Sequence, residues 1–212
     1  MAAFYLSNNR FNLTKIETFT YANSPQTCYN TVMNLYEKLA IFTTIETERL
    51  LLRPLTMADS EDMYAYASNP ENLIYIFPAH KNIADTQFAI ANFFMKAPLG
   101  KWAIELKSEQ KMIGTITFVK LDEKKRIAEI GYALNMAYWG QGLMTEAVRT
   151  LTEIGLTEFG LYYLDIVVES ENFASCKVAE KSGYTLKKSY KAINEYSKII
   201  KNFKCYRKAN HE

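Results

Sequence analysis

Two glycines one residue apart, Gly140 and Gly142, stand between a strand-like apolar run at 127–134 and a helix-like run at 144–156. Glycines at such a junction let the backbone turn sharply and approach a ligand closely. The first amides of the following helix have no partner within it, and the helix dipole adds partial positive charge there. Together these make an anion site of the kind that phosphate occupies. Upstream, alternation along the strand puts Glu129 and Gly131 on one face and Ala128 and Ile130 on the other. A carboxylate on a central strand serves either as a proton acceptor or as a structural contact to an arginine or a loop. Downstream, Asn172 suits a helix N-cap, and Ser175 falls in the first turn, where a hydroxyl can also bond the backbone.

The elements that must position these groups follow from apolar periodicity. Strands are expected at 49–55, 101–107, 110–121, 125–135, 162–169, 184–192 and 199–208. Helices are expected at 59–67, at 86–95 with Asp85 as cap, from Gly142 onward, and at 173–182. Three consecutive strands form a meander, with hairpin turns at 107–110 and 122–125. Mixed strands with segregated helices indicate an α+β domain of three layers. Residues 1–44 read as an N-terminal extension, partly helical over 29–42, and residues 45–212 read as the main domain.

The net charge of +2 shows no nucleic-acid footprint. Lysines nevertheless crowd the chain from Lys187 onward, either as solvated surface or as contacts to an acidic group. Cys28, Cys176 and Cys205 form no C-x-x-C pair, and His80 and His211 are too few for a histidine metal cluster. No metal is expected. There is no apolar run of membrane-spanning length and no signal-peptide pattern, so the expected compartment is a reducing cytoplasm.

The stretch Trp139-Gly140-Gln141-Gly142-Leu143-Met144 resembles the acyl-CoA pyrophosphate loop of the GNAT N-acetyltransferase superfamily, Q/R-x-x-G-x-G/A. Its spelling, W-G-x-G-x-x-T-E-A, is typical of the branch that includes the ribosomal-protein N-terminal acetyltransferases. Met144 stands where that branch usually has Ala, at a position where only the amide is needed. Two further blocks match in order: 45–55, with Arg49 and Arg53, and 172–184, an N-x-x-S-x-x-x-x-E-K-x-G-Y segment. A dinucleotide site is disfavoured, because Thr145 occupies the third-glycine position and the loop follows a meander.

The resemblance implies the GNAT fold, with a mixed, mostly antiparallel central sheet flanked by helices. It also implies acetyl-CoA as cosubstrate and a primary amine as acceptor, either a protein N-terminus or a small molecule. The amine attacks directly in a ternary complex, in a monomer or a homodimer. A lysine-like amine gives up about 4.6 kcal/mol to be neutral at pH 7, and an α-amine only about 1. A proton acceptor is therefore needed, and Glu129 is the candidate base. Ser175 is the candidate donor to the leaving thiolate, because Ala179 stands where many relatives carry a tyrosine. Gln141, Gly142, Leu143, Met144 and Thr145 are expected to offer amides to the pyrophosphate. Leu134, Asn135 and Met136 are expected to contact pantetheine through their backbone, and Asn172 through its side chain. Trp139 is expected in the core or as a wall of the acceptor mouth, while Tyr75, Phe77 and Phe94 border the acceptor groove or simply pack. The alternative to an enzyme is a CoA-binding sensor that keeps the fold.

Overall fold

The computed structural model describes residues 33–210. It contains eight strands: β1 (Ile45–Glu46), β2 (Leu50–Arg53), β3 (Lys101–Leu106), β4 (Lys111–Asp122), β5 (Ile127–Leu134), β6 (Tyr163–Glu169), β7 (Thr185–Ile193) and β8 (Ile200–Ala209). The α-helices are α1 (Leu35–Ile41), α2 (Ser60–Ala67), α3 (Ile83–Ala89), α4 (Leu143–Thr157) and α5 (Phe173–Lys181). The strands form one sheet in the order β1-β2-β3-β4-β5-β6-β8-β7. Every neighbouring pair is antiparallel except β5 and β6. That pair is joined only from Ile127 to Glu129, opposite Tyr163 to Asp165. Beyond Glu129 the two strands part, and β5 has no strand partner on that side.

Alternation sends neighbouring residues into two cores on opposite faces. Trp102, Ile104, Ile130 and Leu134 join α4 and α5 in the larger core, while Ala103, Met112 and Ala133 join α2 in the smaller one. Each fully buried large side chain contributes about 1.5–3 kcal/mol of transfer free energy. A glycine lets β4 and β5 run close together: a Cβ at Gly114 would collide with the carbonyl of Ala133.

Two helices differ from expectation. Residues 29–32 of the helix expected over 29–42 lie outside the described residues; α1 begins at Leu35, where Asn34 and Glu37 form a reciprocal capping box. Leu35 and Leu39 of this helix are buried in the larger core. Helix α3 begins at Ile83, capped by Asn82, whose side chain accepts from the Asp85 amide at 3.0 Å. The Asp85 carboxylate instead accepts from the Lys81 amide. That helix runs on as a π-helical turn, Ile90–Met95. Among the described residues no helix is long and apolar enough to cross a membrane.

Candidate active site

The phosphate-loop geometry starts at two glycines with left-handed backbone, Gly140 at φ +77° and Gly142 at φ +78°. Gly142 caps α4, and its carbonyl accepts the first helical bond, from Glu146 N at 3.0 Å. The amides of Leu143, Met144 and Thr145 therefore precede the helical ladder and have no partner within it. Gly142, Leu143, Met144 and Thr145 line a cavity of about 450 Å³. Met144 is 5% exposed, so its larger side chain packs into the core and only its backbone serves the loop. Gln141 does not line the cavity; its carbonyl accepts from Arg49 Nη1 at 2.9 Å.

The opposite wall is the first turn of α5. Asn172 caps it, accepting from Ser175 N at 3.0 Å, and both residues line the cavity. The Ser175 side chain hydrogen-bonds with the Tyr132 phenol. The Ser175 carbonyl accepts from the Tyr132 hydroxyl at 3.3 Å. Burial pushes that phenol above its ordinary range, so it stays a donor. Ala179 lies fully buried one turn further on. Two lysines on this helix, Lys177 and Lys181, reach the cavity wall. Of the lysines from Lys187 onward, none lines this cavity; Lys201 lines a second one.

The end of β5 behaves differently from expectation. Leu134 lines the cavity, but Asn135 and Met136 do not. The Leu134 carbonyl accepts from Asn72 Nδ2 at 3.0 Å and from Trp139 Nε1 at 2.9 Å. The Met136 amide donates to Asn72 Oδ1 at 2.6 Å, and the Asn135 amide donates to the Ile113 carbonyl. These groups are already bonded within the protein. The unpaired edge of β5 at Tyr132 and Ala133 faces the cavity instead. Of the two places open to Trp139, it takes a wall rather than the core: it is 46% exposed and lines the cavity. Its indole bond to Leu134 holds it at the rim.

Glu129 lines neither cavity. Its carboxylate accepts from Lys120 Nζ at 2.8 Å. The hydrogen bond from Lys120, together with the charge of Glu129, raises the lysine pKa.

The second cavity, of about 520 Å³, lies between residues 70–79 and the end of β6 with the β7–β8 turn. Glu169, Asn194, Tyr196 and Lys201 form one side, and Tyr75 and Phe77 the other. Ile74, Tyr75 and Ile76 line both cavities, so the two share a wall. Phe94 packs against the smaller core. Asn72, Tyr132 and the lysines of α5 escaped sequence reasoning. Only the lysines carried a visible signal, as charges spaced four apart on one helix.

Known proteins share this fold. The family profile described as "Acetyltransferase (GNAT) domain" matches residues 49–185. The chain is 33% identical over 150 residues to a Bacillus subtilis protein described as "Uncharacterized N-acetyltransferase YoaA", covering 68% of this chain and 84% of that protein. A GNAT-family acetyltransferase structure from Bacillus anthracis superposes with a TM-score of 0.72 at 26% identity, covering 80% of this chain and 99% of that one. The microcin C7 self-immunity acetyltransferase MccE, solved with acetyl-CoA and AMP, has the same fold, with a TM-score of 0.69 at 22% identity, covering 77% of this chain and 93% of its own. The glycine loop at the head of α4, the parting of β5 from β6 and the profile match agree, and the chain belongs to the GNAT family of acetyltransferases.

Proposed function

We propose that the chain transfers the acetyl group of acetyl-CoA to a primary amine, on a protein N-terminus or a small molecule. The observation that carries this reading is that Gly142, left-handed at the head of α4, and Ser175, at the start of α5, line one cavity. The amides from Gly142 to Thr145 bind the pyrophosphate, and Lys177 and Lys181 add positive charge beside it. The open edge of β5 at Tyr132 and Ala133 lies along the pantetheine arm. The acceptor enters from the second cavity across the shared wall at Ile74, Tyr75 and Ile76. The thioester supplies an activated acyl carbon. The amine nitrogen bonds to that carbon, the C–S bond breaks, and the sulfur leaves with its electron pair. Ser175 donates a hydrogen bond to that sulfur, and Glu129 receives the amine proton through water.

One observation favours a second reading, a CoA-binding sensor without turnover. Ala179 is buried where many relatives carry the tyrosine that protonates the thiolate. Thiol release from acetyl-CoA, measured against a panel of α-amines, diamines and peptides, separates the two. Amine-dependent thiol release supports the transferase; CoA binding with no release across the panel supports the sensor. A folded Gly142→Asp variant should lose CoA binding by calorimetry, because a carboxylate would sit against the phosphates. Unchanged binding would overturn the phosphate-loop assignment.

A further inference from the structure

Arg49, just before β2, reaches the phosphate loop without lining the cavity. Its Nε donates to Glu146 Oε2 at 2.7 Å, and its Nη1 donates to the Gln141 carbonyl at 2.9 Å. Glu146, in the first turns of α4, also accepts from the Arg49 amide at 2.9 Å and from Thr47 Oγ1 at 2.6 Å. One carboxylate therefore fixes both the backbone and the guanidinium of Arg49. The planar fork of the guanidinium then presents its next donor to Gln141 in a set direction. A Cβ built on Gly142 would lie 3.7 Å from Arg49 Nη2, so the guanidinium abuts the loop itself.

In a trans peptide the carbonyl and the following N–H point in opposite directions. Turning the Gln141 carbonyl toward Arg49 therefore turns the Gly142 N–H away from it. Gly142 lines the cavity while Gln141 does not. The peptide leads into the left-handed Gly142, whose φ meets little steric resistance. We propose that Arg49, oriented by Glu146, is a positioning residue that latches the Gln141–Gly142 peptide with the Gly142 N–H facing the cavity. The latch rests on the reading of this loop as the CoA pyrophosphate site.

The test compares dissociation constants for CoA, by calorimetry, and for pantetheine, which lacks the phosphates, by NMR titration. The chains are wild type, Arg49→Met, Arg49→Lys and Glu146→Gln, each checked for an intact thermal transition. Arg49→Met should weaken CoA about ten-fold, as expected for one well-placed hydrogen bond, and leave pantetheine unchanged. Arg49→Lys should be nearly as weak, because a point charge cannot bridge Glu146 and Gln141 in the fork geometry. Glu146→Gln should fall between wild type and Arg49→Met. Full rescue by lysine would overturn the latch in favour of simple charge attraction. Equal weakening of CoA and pantetheine in Arg49→Met would show a general packing role and overturn it as well. If wild type binds pantetheine as tightly as CoA, the phosphate reading itself fails and the latch falls with it.

Discussion

The ammonium of Lys120 on β4 stands 2.8 Å from the carboxylate of Glu129 on β5, beside the last paired residues of the parallel β5–β6 ladder. The lysine side chain is 76% exposed and the glutamate only 19%, so the pair is anchored at the glutamate end. An ionised carboxylate is acceptor-only and keeps lone pairs free beside the one Lys120 uses.

Replacing each partner separates the two roles open to Glu129. As a base, Glu129→Gln should lower turnover by about 10²–10⁴-fold and leave CoA affinity intact. Lys120→Met should then change turnover only a few-fold. Equal, small losses in both variants would mark the pair as a surface contact of less than about 1 kcal/mol. Turnover of each variant across pH 6–9 makes the measurement.

The cap of α5 allows a similar separation. Asn172 uses the Ser175 amide, not its hydroxyl. Ser175→Ala should therefore leave the melting temperature nearly unchanged while lowering turnover by about 10²-fold, the scale of a lost proton donor. Asn172→Ala should instead cost about 1 kcal/mol of stability. Undiminished turnover in Ser175→Ala would assign that hydroxyl no part in thiolate departure.

Acid should act on two paired carboxylates, one of them in the turn before α2. Asp59 is 4% exposed and accepts from Arg53 Nη1 and Nη2 at 3.0 and 2.7 Å and from the Thr56 amide at 2.7 Å. Burial pushes its carboxyl up, but the bonds from Arg53 and Thr56 prevail and leave it below its ordinary 3.8. Burial likewise opposes, and the bonds from Thr47 and Arg49 outweigh it, at Glu146, held below 4.5. Both folded values lie below the unfolded ones. Their stabilisation is present above those ordinary values and is lost as pH falls through the folded ones. Asp59→Asn should destabilise by about 3 kcal/mol, at the lower end for a buried pair because Arg53 keeps Glu105. It should also flatten the acid limb of stability against pH, measured by denaturant unfolding. An unchanged limb would remove Asp59 from the acid response.

What was legible in the sequence was whatever local pattern dictates. The β3–β4–β5 meander follows from alternation and polar turns. The glycine loop and the Asn172 cap follow from residue types whose backbone demands are strict. Two of the omissions have a partner distant in sequence. Asn72 is an ordinary turn residue until its amide meets Leu134 and Met136, 62 and 64 positions away. Trp139 could have been core or wall, and its indole bond to a nearby carbonyl keeps it at the rim. Arg49 and Glu146, 97 positions apart, carry no joint signal in a single chain.

The N-terminal boundary of the domain is the last case. Helix α1 was assigned to an extension, yet Leu39 is fully buried in the larger core, and the carbonyl of Phe42 accepts from Trp102 Nε1 at 3.0 Å. Phe42 also meets Phe159 edge-to-face, with ring centroids 5.4 Å apart. The capping box of α1 uses Asn34 and Glu37, so a chain beginning at Met33 retains the whole helix and its cap. Such a chain should stay soluble, bind CoA like the full chain and melt within a few degrees of it, equivalent to about 1 kcal/mol or less. A chain beginning at Ile45 should fail, because it exposes the faces of Trp102 and Phe159 that α1 and Phe42 cover. Leu39→Ala in the full chain isolates the packing share of that loss, expected at about 2–5 kcal/mol for a buried leucine. Thermal melts and CoA calorimetry on the three proteins decide the point. Full stability in the chain from Ile45 would return α1 to the extension, and failure of the chain from Met33 would make residues 1–32 part of the folding unit.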